Sequence, residues 1–239
     1  VDKQLRERLK HDKFVEEVGH TVHYLQDHKS AVKRYGGIAA AVLAVVIGVW
    51  TFMNWRAGQR QEDLRQAALT LDAFIGDQSP TGGLAFPTQA EKDAAVQKAF
   101  SEVAAKHPGT KEGQLGRYYS ATQLCDQGKV AECEAGYKQA IQDGSDANVT
   151  SLAKLSLATL LISQNKMDEA EKVARELVNN PSPVVSKEQG QILLAQTLLK
   201  SKPQEARILL EALQAVDRPA VTRAAVALMG ELTGQQVPR

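Results

Sequence analysis

Hydrophobic residues recur at helical spacing along most of this chain, and one run breaks the pattern. From Tyr35 to Trp55 (YGGIAAAVLAVVIGVWTFMNW) no side chain is charged, between Lys33-Arg34 and Arg56. At 1.5 Å per residue these 21 positions extend about 31 Å, the hydrocarbon thickness of a bilayer. The pattern predicts one transmembrane helix over 35–55. Tyr35 at one end and Trp50 and Trp55 at the other suit the two membrane interfaces. Two other readings compete. A secretory signal peptide has a shorter apolar core and a small-residue cleavage site, whereas this run stays bulky through Phe52 and Trp55. A buried helix of a soluble domain carries polar residues along one edge and seldom exceeds about 14 apolar positions.

Beyond the run, apolar residues return every three or four positions. Residues 57–75 place Leu64, Ala68, Leu71 and Ile75 on one face, so a helix is expected to lead straight from the membrane into the domain. A loop over 76–88 precedes a helix carrying Val96, Ala99, Phe100 and Val103, ended by Pro108-Gly109. At the far end, residues 219–233 read as a capping helix closed by Gly234. No Val/Ile/Thr-rich alternating run lies between turn residues, so no strands are expected. The predicted fold class is all-α: an N-terminal amphipathic segment, one transmembrane helix and a solenoid of helical hairpins. A generic α-bundle is the alternative.

The middle of the chain repeats. LATLLISQNKMDEAEKVARELVNNP from Leu157 is echoed by LAQTLLKSKPQEARILLEALQ from Leu194 and more loosely by YSATQLCDQGKVAECEAGYKQAI from Tyr119. Cys133, Ala170 and Ala206 fall at one place in the second helix of each pair, 37 and 36 residues apart. Such periods belong to helix-turn-helix arrays. The pattern resembles the tetratricopeptide repeat family. Small residues at the helix crossing (Cys133, Ala170, Ala206) match it, as do Gly128 and Asn165 at the turns and Pro181 at the end of the middle unit. Arg117 and Lys154 stand where that family has a large aromatic.

The reading divides the chain into a cytoplasmic segment 1–34, the span 35–55, an exit helix and long-looped hairpin 56–109, repeats over 110–218, and a C-terminal capping helix with its tail, 219–239. The net charge of +1 splits into +2 over residues 1–34 and −1 over the remainder. Neither part holds the basic patch that nucleic acid requires. Close to the span the basic residues tie, Lys29, Lys33 and Arg34 against Arg56, Arg60 and Arg65. Long domains translocate largely regardless of charge, so the short segment is expected to stay cytoplasmic and the large domain to lie outside.

The order of elements, from YLQDHKSAVKRYGG through the span and RQEDLRQAALTLDAFI to the repeats with KMDEAEKVARELV, resembles the ancillary SecYEG translocon subunit family of diderm bacteria. That resemblance implies an inner-membrane protein with a periplasmic domain, near the Sec translocon, binding periplasmic chaperones and other partner proteins. A structural accessory subunit bracing another membrane complex is the alternative.

In tetratricopeptide arrays the first helices line a groove. Here its positions are Leu115, Tyr118, Thr122, Leu152, Leu155, Thr159, Ile162, Gln189, Ile192 and Gln196, an apolar trough edged by amides and hydroxyls. It suits a peptide segment of a protein partner better than a small-molecule substrate. Replacing Leu155 and Ile162 with Glu is expected to abolish partner binding without loss of helicity. Within the span, Gly36, Ala40, Ala44 and Gly48 form a small-residue stripe that permits close helix packing. The N-terminal segment sets Phe14, Val18, Val22 and Leu25 on one helical side. It also holds His11, His20, His23 and His28; Glu17 and His20 lack the paired carboxylate copies of a di-iron site, so no metal is expected.

Cys125 and Cys133 lie four residues either side of Lys129 at the bend of one hairpin. Their spacing admits a local disulfide, or one buried and one free thiol. There is no phosphate loop, HExxH, CxxC or nucleophile elbow. His107 only precedes a helix-ending Pro-Gly, and Asn148-Val149-Thr150 is a formal glycosylation acceptor. Neither an enzyme nor a cofactor is expected.

Overall fold

A computed structural model describes residues 29–80 and 82–234, so the amphipathic N-terminal segment, with its four histidines, lies outside the described residues. Among these the chain forms α1 (Lys29–Leu71), β1 (Phe74–Ile75), β2 (Ala85–Phe86), α2 (Gln89–Lys106), α3 (Lys111–Asp126), α4 (Val130–Asp143), α5 (Ala147–Ser163), α6 (Met167–Asn179), α7 (Lys187–Leu198), α8 (Pro203–Gln214) and α9 (Pro219–Thr233). The fold class is all-α. The chain divides into two compact units at Gly58.

In the first unit α1 is the one helix, among the described residues, long and apolar enough to cross a membrane. Every side chain from Lys33 to Arg56 is exposed, which a core helix would not tolerate. Thr51, a polar residue in the apolar run, returns its hydroxyl to the carbonyls of Ile47 (2.9 Å) and Gly48 (3.0 Å). At the end of the run the Arg56 guanidinium lies 5.3 Å above the Phe52 ring. Gly36 and Gly48 have open space on their side of the helix, and Ala40 and Ala44 are exposed with them.

The second unit is a row of helical hairpins. The distal part of α1 packs Ala67 on Val96, Phe100 and Val103 of α2, flanked by Leu64, Leu71 and Ala99. His107 Nε2 meets Asp63 Oδ2 at 2.8 Å and ties the two helices together. The exit helix stops at Leu71 and does not reach Ile75. Phe74–Ile75 instead pairs in parallel with Ala85–Phe86, through Phe74 N to Leu84 O (2.8 Å) and Gly76 N to Phe86 O (2.9 Å). These two short strands correct the expectation of none. They arise from closing the loop, and pairs of two residues leave no alternating pattern to read.

The hairpins α3–α4, α5–α6 and α7–α8 follow from small residues and turn chemistry. Ala121, Ala158 and Ala195 of the first helices, and Cys133, Ala170 and Ala206 of the second, are all essentially fully buried, so the paired helices approach closely. Gly128 (φ 74°) and Asn165 (φ 59°) take the left-handed conformation that ends α3 and α5. Arg117 and Lys154, the departures from the aromatic pattern, instead cross their hairpins to carboxylates: Arg117 to Asp143 at 2.6 Å and Lys154 to Glu176 at 2.6 Å. First helices touch first helices along the row, α3 with α5, α5 with α7 and α7 with α9.

Second helices are linked by ions. Glu134 of α4 accepts from Lys138 (2.6 Å) and from Lys166 (2.7 Å), which precedes α6. Glu171 of α6 accepts in the same way from Arg175 (2.8 Å) and from Lys202 (2.7 Å), which precedes α8. Lys138, then Lys166, hold the Glu134 carboxyl down from 4.5 to about 2, and Lys202, with Arg175, lowers that of Glu171. A carboxyl depressed by folding stabilises above its unfolded value and loses that contribution as pH falls through its folded one. We expect the melting temperature to drop between about pH 4.5 and pH 2. The variant Glu134→Gln/Glu171→Gln should be about 1 kcal/mol less stable at pH 7 and show a shallower acid slope. Equal slopes in a thermal melt series would refute this assignment.

Candidate partner-binding groove

The groove positions read from the sequence all sit on the first-helix side, and none is fully buried. Leu115, Tyr118 and Thr122 lie on α3, Leu152, Leu155, Thr159 and Ile162 on α5, and Gln189, Ile192 and Gln196 on α7. Several also serve the core. Leu152 and Leu155 pack against the α5–α8 cluster, Ile162 against that cluster and the preceding one, and Ile192 against the last. Ile162 is therefore unsuited to a Glu substitution that leaves the fold intact, because the charge would enter the seam between two cores.

The polar rim is partly spent. Thr122 and Thr159 give their hydroxyls to the carbonyls of Tyr118 (3.0 Å) and Leu155 (2.9 Å). The Gln189 side chain closes a capping box, accepting from Ser186 N at 2.8 Å while Ser186 caps α7. Tyr118 reaches across to Ser156 of α5 at 3.2 Å, and Thr122 meets the Tyr137 hydroxyl at 3.1 Å. Burial raises the Tyr137 phenol above its usual value.

Between the first hairpin and α5 the groove deepens into a depression of about 350 Å³, lined by Cys125, Tyr137, Leu155, Ser156, Thr159, Leu160 and Ser163. Sequence reasoning found Leu155 and Thr159 and missed Ser156, Leu160 and Ser163, which lie within four residues of them on the same helix. Cys125 and Cys133 form a disulfide with Cα atoms 5.2 Å apart, within the ordinary range. Cys133 is buried in the hairpin core and Cys125 faces the depression, so the bridge fixes one wall of it. No titratable cluster of catalytic form lies there. Among the described residues no three or more His, Cys, Asp or Glu are grouped to hold a metal.

Gln114 was also missed. It is fully buried at the base of α3, and its amide gives to Ala140 O (2.8 Å) and Thr150 Oγ1 (2.9 Å) while its carbonyl accepts from Asp146 N (2.7 Å). This one side chain joins α3, the end of α4 and the start of α5, and so sets where the second hairpin begins.

A family model described as a tetratricopeptide repeat-like domain matches residues 29–228. The chain belongs to that family. The matched region begins at Lys29, so the tetratricopeptide repeat-like domain as recognised takes in the apolar part of α1 together with the hairpins. No curated protein and no solved structure matches the chain significantly. Tetratricopeptide repeat-like domains are typically non-catalytic modules of protein-protein interaction.

Proposed function

We propose that this tetratricopeptide repeat-like protein is a membrane-anchored adaptor that binds a peptide segment of a partner protein along the first-helix groove. The observation behind this reading is the half-exposed face of α3, α5 and α7, deepened beside Leu155 and Thr159 into the depression of about 350 Å³. An extended or helical segment matches such a surface, since apolar pockets along it take successive side chains. The exposed apolar length of α1 supplies the anchor, crossing the inner membrane once with the N-terminus cytoplasmic and the repeat domain periplasmic. The finer assignment is to the neighbourhood of the Sec translocon, with periplasmic chaperones as partners. It rests on the order of elements, from basic approach to span, exit helix and degenerate repeats.

The experiment is co-purification of the full chain from native membranes in mild detergent, for the wild type and for Thr159→Glu/Ser163→Glu. Both positions line the depression, and both are exposed. The expected result is recovery of translocon subunits and periplasmic chaperones with the wild type and loss of the soluble partners, at unchanged helicity, with the variant. Partners retained by the variant would exclude the groove. Stoichiometric recovery of an unrelated membrane complex would establish a bracing subunit in place of an adaptor.

A further inference from the structure

The ion pairs between successive second helices recur at the repeat period, and the junction where they fail holds a cavity. At the α4–α6 junction Lys138 faces Glu169 (3.7 Å) and Lys166 faces Glu134 (2.7 Å); at α6–α8, Arg175 faces Glu205 (2.7 Å) and Lys202 faces Glu171 (2.7 Å). One step of 37 residues back along the sequence places Gln97, Ser101, Lys129 and Glu132 at the α2–α4 junction. Burial supports this alignment. Val96, Phe100 and Val103 of α2 are buried, as are Cys133, Tyr137 and Ala140 one step later.

At this junction the α2 side is neutral, and Glu132 makes no ion pair among the described residues. An apolar side chain is missing too. Val173 and Leu209 each pack against two core clusters, and the equivalent position in α4 is Gly136, where a Cβ would stand 2.7 Å from Ala121 Cβ, so the close approach of α3 and α4 leaves α4 without a side chain there. The junction holds a cavity of about 380 Å³ on the second-helix side, lined by Ser101, Ala104, Ala105, Glu132 and Gly136 among others. Arg117 also lines it, but its guanidinium is engaged by Asp143 (2.6 Å) and Gln139 (3.1 Å). Beside it, Gln97 bonds Ser120 (2.8 Å), and its Oε1 is buried without a donor.

We infer that this cavity is a docking pocket for a basic side chain, lysine or arginine, presented by a partner protein. The incoming cation takes the place that Lys138 and Arg175 hold at the later junctions and pairs with Glu132. Its aliphatic stem lies along Ala104, Ala105 and Ala135, which line the cavity. This site lies on the opposite face from the groove, so one partner can contact both sides of the first repeat, or two partners can bind at once. Its failure would leave the groove reading untouched.

The test uses the full chain in lipid nanodiscs with 13C-labelled alanine methyls, since Ala104, Ala105, Ala121 and Ala135 all line the cavity. It is titrated with the peptide acetyl-Ala-Arg-Ala-amide and with its norleucine counterpart. Expected are saturable shifts of those four methyls with the arginine peptide, at least tenfold weaker with norleucine, and lost in both Glu132→Gln and Ser101→Lys. The Ser101→Lys chain supplies its own cation, so it should melt no lower than wild type, which separates a filled pocket from a damaged fold. Absence of shifts at millimolar arginine peptide would overturn the inference. So would equal shifts with norleucine, or shifts that survive in both variants.

Discussion

Gly116→Val should destabilise the repeat domain by about 3 kcal/mol, against the direction that helix propensity indicates. Gly116 lies in the middle of α3, where glycine costs a helix roughly 1 kcal/mol relative to alanine, so removing it would ordinarily help. Its neighbours reverse the sign. A Cβ there would stand 2.8 Å from both Ala104 N and Phe100 O and 3.1 Å from Val103 Cβ. Two of these contacts are backbone of α2, which cannot rotate away as a side chain does. Nor can α2 retreat, because Phe100 and Val103 on the same face are buried against α1. Gly116→Ala tests the sign, and Gly58→Ala, whose added methyl meets nothing within 4 Å, is the matching control. Chemical denaturation of the full chain in detergent should place Gly116→Ala below wild type and Gly58→Ala at or above it. A stabilised Gly116→Ala would show that α2 and α3 are less tightly apposed than described.

The second large effect is expected at Gln114. Replacing it with leucine keeps the volume and removes the amide, so Asp146 N and Ala140 O lose the bonds at 2.7 Å and 2.8 Å that bury them. Each backbone group left unpaired away from water costs about 1 to 3 kcal/mol, so a loss of about 3 kcal/mol is expected. The loss should also be local. Asp146 caps α5 through Asn148 N (2.9 Å) and Val149 N (3.1 Å), and Gln114 positions that cap. Amide hydrogen exchange should therefore speed up at the start of α5 more than in α8. Gln114→Glu, which turns a buried carboxylate toward the Ala140 carbonyl, should be at least as destabilising as Gln114→Leu. A leucine variant as stable as wild type would mean that water replaces the amide.

These two residues illustrate why the helix faces were easier to read than what holds them in place. Leu155 and Thr159 stand out because a repeat pattern assigns them to a helix face, and periodicity is local information. Gln114 carries no pattern: a glutamine in a helix reads as a solvated residue until three separate elements converge on it. Ile162 sits between these cases, since its face was legible but its contact with two cores was not. The ion network was within reach of the repeat alignment, as Glu134 and Glu171, Lys138 and Arg175, and Lys166 and Lys202 recur one period apart. Only the packing says that they meet.

The sequence by itself determined the apolar span, the all-α class, the hairpin period and the turns at Gly128 and Asn165, because each is set by neighbours within one or two helical turns. The tertiary structure alone decided the rest. The exit helix gives way after Leu71 to a short β pairing, because loop closure there offers its backbone groups partners that the helix cannot. Gly116 is required by a helix 12 to 16 residues earlier in the chain. The cavity beside Glu132 lies where α2 carries Ser101 in place of the later Lys138 and Arg175. All three depend on which surfaces face each other across the fold, and a linear pattern of apolar and polar residues does not carry that information.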